Sequence, residues 1–141
     1  MKLNDSLHQS LRAAISETDA TGLNEEQGGF ILKKDNQFAF HLVRNSNTGT
    51  PRAVGLYTAD KNEMGKKVLT NVMAGWDVYA SFHTHPKGFP AMPSTVDIRE
   101  LFTGHPTNFI YAPQEKTLNR FTLETDDSNG DRFWSFANIE L

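Results

Sequence analysis

Two histidines one residue apart, His83 and His85, lie in the stretch Tyr79 to Asp97, YASFHTHPKGFPAMPSTVD, ahead of a proline-rich loop, Ser94 and Asp97. Neutral imidazole is a good ligand for zinc and several other transition metals. Residues 77 to 83, rich in β-branched and aromatic types, predict a strand. Alternate strand residues share a face, so His83 and His85 project together while Thr84 points away. Asp97 falls in the first turn of a helix that starts after Ser94, and can turn back as a third, anionic ligand. Two histidines and a carboxylate with a fourth position open describe a catalytic rather than a structural zinc site. Plainer readings exist for each part. An isolated H-x-H arises by chance, and Ser-x-x-Asp before an apolar run is an ordinary capping pattern. Capping accounts for Ser94 and Asp97. It does not account for a cap so soon after H-x-H, nor for a suitable acid upstream.

Several elements must hold these residues in place. Pro86 ends the strand because it has no N–H to donate, and Pro90 and Pro93 keep the loop out of helix and central strand. Val96, Leu101 and Phe102 give the following helix its apolar residues, with Gly104 as its end. Upstream, Leu7, Leu11, Ala14 and Ile15 make residues 5 to 18 an amphipathic helix capped by Asn4 or Asp5. A loop is expected from Gly22. Phe30-Ile31-Leu32 and Gln37 to Arg44, separated by the turn signal Asp35-Asn36, read as an antiparallel hairpin. Arg52 to Thr58 reads as a short strand. A second helix, capped by Thr58 or Asp60 and stopped by Gly75, would bury Met64, Val68, Leu69, Val72 and Met73. Asn108 to Ala112, Arg120 to Thr125 and Arg132 to Leu141 read as closing strands. The fold class is therefore α+β, a mixed sheet flanked by helices. His8 and His41 read as incidental, and His105 as a loop residue. The turn Asp126 to Asp131 is acidic, but its spacing does not fit a calcium-binding EF-hand loop.

Composition narrows the function classes. The chain has 141 residues, 38% hydrophobic and 22% charged, with a net charge of −3, which fits one domain spanning 1–141. The mild acidity argues against a nucleic-acid surface. With no cysteine, disulfides, Cys-rich zinc fingers and the zinc deaminase signature are excluded. The opening MKLNDSLHQS has no apolar core, so the expectation is no signal peptide and a cytoplasmic protein, with export by a dedicated secretion system left open. No stretch reaches the ~20 apolar residues of a membrane helix.

The ordered set H-T-H-P, a short loop, S-x-x-D, and far upstream Glu26-Gln27-Gly28-Gly29-Phe30-Ile31-Leu32 resembles the JAMM (MPN-plus) zinc metallopeptidase superfamily. The phrases E-x-G-G and F-H-T-H are most similar to an uncharacterised bacterial branch. The resemblance spans about Glu25 to Phe109. It implies a JAB-type, cytidine-deaminase-like architecture and a zinc-dependent peptidase or isopeptidase. It also implies His83, His85 and Asp97 as metal ligands, Glu26 as general base, and Ser94 as donor to the developing oxyanion. Glu25 is the alternative base, in a register that puts glycine where the family has an apolar residue. The loop Pro86 to Pro93 is one residue longer than is usual in the family, which bears on Ser94 more than on the ligands. Implied substrates are ubiquitin-like tails, small carrier proteins or cell-wall peptides. Relatives that have lost metal and activity serve as protein-interaction scaffolds, the alternative function. H-x-H also opens amidohydrolase barrels, but such a barrel needs ~250 residues; phosphoesterase chemistry stays open.

Overall fold

A computed structural model describes residues 3–19 and 24–141. The start of the loop expected from Gly22 lies outside them. Helix α1 (Asp5–Asp19) is followed by strands β1 (Gly28–Lys34) and β2 (Gln37–Val43). A helical segment, α2, comprises Lys61–Glu63, a π-helical stretch Met64–Leu69 and Thr70–Met73. Then come β3 (Asp77–Thr84), α3 (Thr95–Glu100), β4 (Thr107–Ala112), β5 (Thr117–Thr125) and β6 (Arg132–Ile139). The six strands form one mixed sheet in the order β2-β1-β3-β4-β5-β6. Only β3 and β4 run parallel; the other neighbours are antiparallel. Parallel neighbours need a crossover, and the crossover here is the proline-rich loop and α3, so the fold delivers α3 to the end of β3.

Strand alternation divides the core between two faces. On one face Leu7, Leu11 and Ala14 of α1 pack against Ile31, Phe82 and Phe109, which leaves Ile15 only partly buried at the margin. Asn4 Oδ1 caps α1 by accepting from the N–H groups of Ser6 and Leu7. The opposite face carries two clusters. Phe30, Leu32, Val43 and Val68 form one, and Tyr57, Ala91, Leu101, Phe102, Ile110 and Phe121 contribute to the other. His83 lies on this second face, between the clusters.

Several expectations are corrected. Arg52 to Thr58 is not a strand: Pro51–Val54 is a turn of 3-10 helix, and only a bridge between Asn45 and Ala59 pairs this region. The fixed φ of Pro51 starts the helical turn. The buried Asn45 side chain then takes the backbone groups a ladder would have used, donating to Leu56 O and accepting from Thr58 N–H. In α2, Asp60 rather than Thr58 is the cap, accepting from Asn62 and Glu63 N–H. The expected stripe is buried only in its first half, where Met64 packs partly buried against the cluster that holds Val68. Val68 is in the core, but Leu69, Val72 and Met73 are exposed, Met73 at 89%. The wider π turn rotates later residues off the face that a 3.6-residue period assigns. Val96 on α3 is likewise exposed, and α3 stops at Glu100, a 3-10 turn carrying the chain on to Gly104. Among the described residues no helix is long and apolar enough to cross a membrane.

Candidate metal centre

The β1–β3 register explains how residues 57 positions apart meet. Gly28 pairs with His83 in an antiparallel ladder. Glu26, two residues before Gly28, shares its face by alternation and so reaches the level of His85. The short segment between is clipped down at both ends. Gln27 N–H donates to Thr84 Oγ1 at 3.0 Å and Thr84 N–H donates to Gln27 O at 2.8 Å. Glu26 N–H donates to Ala53 O, while Asn45 Nδ2 donates to Glu26 O. The glycines are required by space. A Cβ on Gly28 would lie 2.2 Å from Phe82 O and 3.0 Å from His83 Cβ; one on Gly29 would lie 2.1 Å from His41 O.

Asp97 is aimed by its helix. Ser94 Oγ accepts from Asp97 N–H at 3.1 Å and Asp97 Oδ2 accepts from Ser94 N–H at 2.9 Å, a complete capping box. This fixes the carboxylate with Oδ1 3.1 Å from His83 Nε2 and Oδ2 3.0 Å from His85 Nε2. The two Nε2 atoms are 3.2 Å apart, and Glu26 Oε1 is 3.7 Å from His83 Nε2. All four residues are buried, their donor atoms lying within 4.8 Å of one another.

This donor set fits a small divalent cation. Ligands at 2.0–2.1 Å from a tetrahedral zinc are separated by about 3.3 Å, close to the 3.2 Å between the two Nε2 atoms, with a different Asp97 oxygen near that distance from each imidazole. His85 Nδ1 lies 2.7 Å from Pro90 O, and a carbonyl only accepts, so Nδ1 carries the hydrogen. That leaves Nε2 toward the cluster, the arrangement by which an outer partner orients a ligating imidazole. His83 stacks on buried Tyr57 at 6.3 Å, whose hydroxyl donates to Val43 O.

The electrostatics of the cluster differ from residue to residue. Burial holds His83 below the usual imidazole range, favouring the neutral form that binds metal. Burial also opposes charge on His85, but hydrogen bonding and attraction to Asp97, with the charge of Glu26, raise it overall. Burial would raise Asp97; its bonds to the two imidazoles outweigh this and hold it well below the usual carboxylate range. Glu26 is pushed up to about 8, mainly by burial, with Asp97 adding and His85 opposing. Glu26 Oε1 has no hydrogen-bond partner.

Every residue of the expected set is near the cluster. Ser94 is at its exposed rim, joined to Asp97 through the cap, and its hydroxyl hydrogen has no acceptor among the described residues. Glu25 is elsewhere: its carboxylate accepts from Gly49 N–H on the surface. His8, His41 and His105 are outside the cluster, with His105 bonded to Leu101 O and packed on Phe30. Of the loop residues, Ala91 is buried while Phe89 and Met92 are exposed. Tyr57 and Asn45 were not expected to support the site. Neither carries a local signal, since each acts on residues distant in sequence.

The family model describing prokaryotic homologs of the JAB domain matches residues 8–124. The chain belongs to that family. Among solved structures, this JAB homologue is similar to the solution structure of protein DSY2949 from Desulfitobacterium hafniense, with 20% identity and a TM-score of 0.58. That likeness covers 93% of this chain and 86% of the other, and shows a shared fold. No curated protein matches the chain.

Proposed function

We propose that this JAB homologue is a zinc-dependent hydrolase of peptide or isopeptide bonds. The observation that carries the reading is the convergence of Glu26, His83, His85 and Asp97 in one buried cluster. His83, His85 and Asp97 would hold the ion. A zinc ion so held supplies Lewis acidity and a water acidic enough to lose a proton near neutral pH.

The remaining work belongs to the chain. Glu26 accepts the proton of the attacking water and later gives it to the leaving amine. A buried carboxyl without a hydrogen-bond partner suits this role, because no competing donor holds its proton-accepting oxygen. The Ser94 hydroxyl keeps a lone pair on Asp97 N–H and donates its hydrogen to the oxygen of the carbonyl under attack. His85 is held in one tautomer by Pro90 O. The substrate classes proposed are ubiquitin-like or carrier-protein tails and cell-wall peptides.

The test compares zinc content and cleavage of such substrates in the wild type and Glu26→Gln. The substitution should retain zinc and abolish cleavage. Loss of zinc in Glu26→Gln would make Glu26 a ligand instead of the base. A zinc-loaded wild type inert on every class would favour an inactive interaction scaffold.

A further inference from the structure

The sheet has two edges, and they are finished differently. The β2 edge is covered by side chains. Ser6 Oγ donates to Phe38 O and accepts from Phe38 N–H, and Lys67 Nζ donates to Leu42 O. Along β6, the side-chain bonds found among the described residues all run inward to β5: Ser135 to Thr122 O, and Asn138 to Leu118 O and Asn119 Oδ1. The outer row of backbone N–H and C=O groups is left as a template for another strand. The usual defences of an edge are missing. Arg132 to Ile139 pairs with β5 without a bulge, contains no proline, and has no charge between Phe133 and Ile139. Phe133 and Phe136, on opposite sides of the sheet, are exposed at 48% and 56%.

We infer that β6 pairs antiparallel with β6 of a second copy of this chain, joining two sheets into one of twelve strands about a two-fold axis at Phe136. Charge selects this occupant and this register. The only charged residues of the segment are Arg132 at its start and Glu140 just past its end. In an antiparallel self-pairing centred on Phe136, Arg132 faces Glu140 of the copy, and two-fold symmetry repeats the contact. Residues facing each other across a ladder lie on the same side of the sheet. Phe136 therefore meets its own counterpart, and Phe133 meets Ile139. A groove of about 330 Å³ runs along Ala137, Asn138, Ile139 and Glu140, where the copy's Phe133 would lie. Each exposed phenylalanine thus gains an apolar neighbour.

Sedimentation equilibrium and chemical cross-linking test the pairing on the full chain. The wild type should have twice the mass of one chain. Arg132→Glu should weaken association about tenfold, because like charges then face each other at two symmetric positions. Adding Glu140→Arg to that variant should restore it. The chain has no cysteine, so Phe136→Cys provides a single thiol that should cross-link to its counterpart on oxidation. A thiol placed at Ser128, in the β5–β6 turn, should not. A monomeric wild type overturns the inference. So does a dimer that ignores the charge reversal and fails to cross-link through position 136, since it would use another face. A monomer whose Phe136→Lys variant loses cleavage of a peptide substrate would assign the edge to a substrate strand, and also overturns self-pairing.

Discussion

In protein freed of metal by a chelator, replacing Glu26 by Gln should remove a pH-dependent loss of stability. Glu26 is 4% exposed and its Oε1 has no hydrogen-bond partner. Its pKa is raised from 4.5 to about 8, burial being the largest cause. A carboxyl whose folded pKa exceeds its unfolded value holds a proton in the folded state that the unfolded state has released. Its contribution is therefore fully present below pH 4.5 and is lost as pH rises through about 8. At 1.36 kcal/mol for each pH unit of that window, the loss is on the order of 4–5 kcal/mol. Gln does not titrate, and Glu26 is not among the causes that shift His83 or Asp97; His85 loses the smaller upward push of the Glu26 charge, after the larger effects of burial and Asp97. Urea unfolding of the two proteins from pH 4 to 9 in chelator should give a stability difference that moves toward Glu26→Gln with rising pH, levelling off above pH 8. Saturating zinc should shrink this trend, because a nearby cation favours the carboxylate. A difference that stays flat over the whole range would mean that the Glu26 carboxyl is hydrated, and would refute the burial argument.

Other substitutions separate scaffold from chemistry. Gly28→Ala forces a Cβ to within 2.2 Å of Phe82 O; about 3 kcal/mol or more of stability should be lost in chemical denaturation. Ser94→Ala removes the oxygen that caps α3. Unfolding should show a cost of about 1 kcal/mol with zinc retained, and cleavage should fall about a hundredfold if the hydroxyl donates to the oxyanion. Tyr57→Phe leaves Val43 O without its buried donor and should cost about 1–2 kcal/mol in thermal unfolding without changing zinc stoichiometry.

Much of the scaffold was legible in the sequence because its signals are local. The period of Leu7, Leu11 and Ala14, the turn Asp35-Asn36 and the alternation around it, and the cap at Ser94 each reflect contacts within a few residues. The candidate ligands were legible for the same reason: strand alternation places His83 beside His85, and one helical turn links Ser94 to Asp97. Glu26 came from the family resemblance, and the pairing of Gly28 with His83 supplies its physical reason. What escaped was non-local. Asn45 satisfies backbone groups at Leu56 and Thr58, so Arg52 to Thr58 has no need of a ladder despite its composition. The π stretch Met64–Leu69 changes the helical period in α2, so a stripe counted at 3.6 residues per turn pointed residues such as Met73 the wrong way. Tyr57 supports His83 from a segment with no regular structure of its own.

Zinc titration of the chelator-treated wild type beside Asp97→Ala tests the central claim most directly. The arrangement of donors predicts one tightly bound ion per wild-type chain and no stoichiometric binding in a folded Asp97→Ala. Stoichiometric, tight binding that survives the loss of this carboxylate would contradict it.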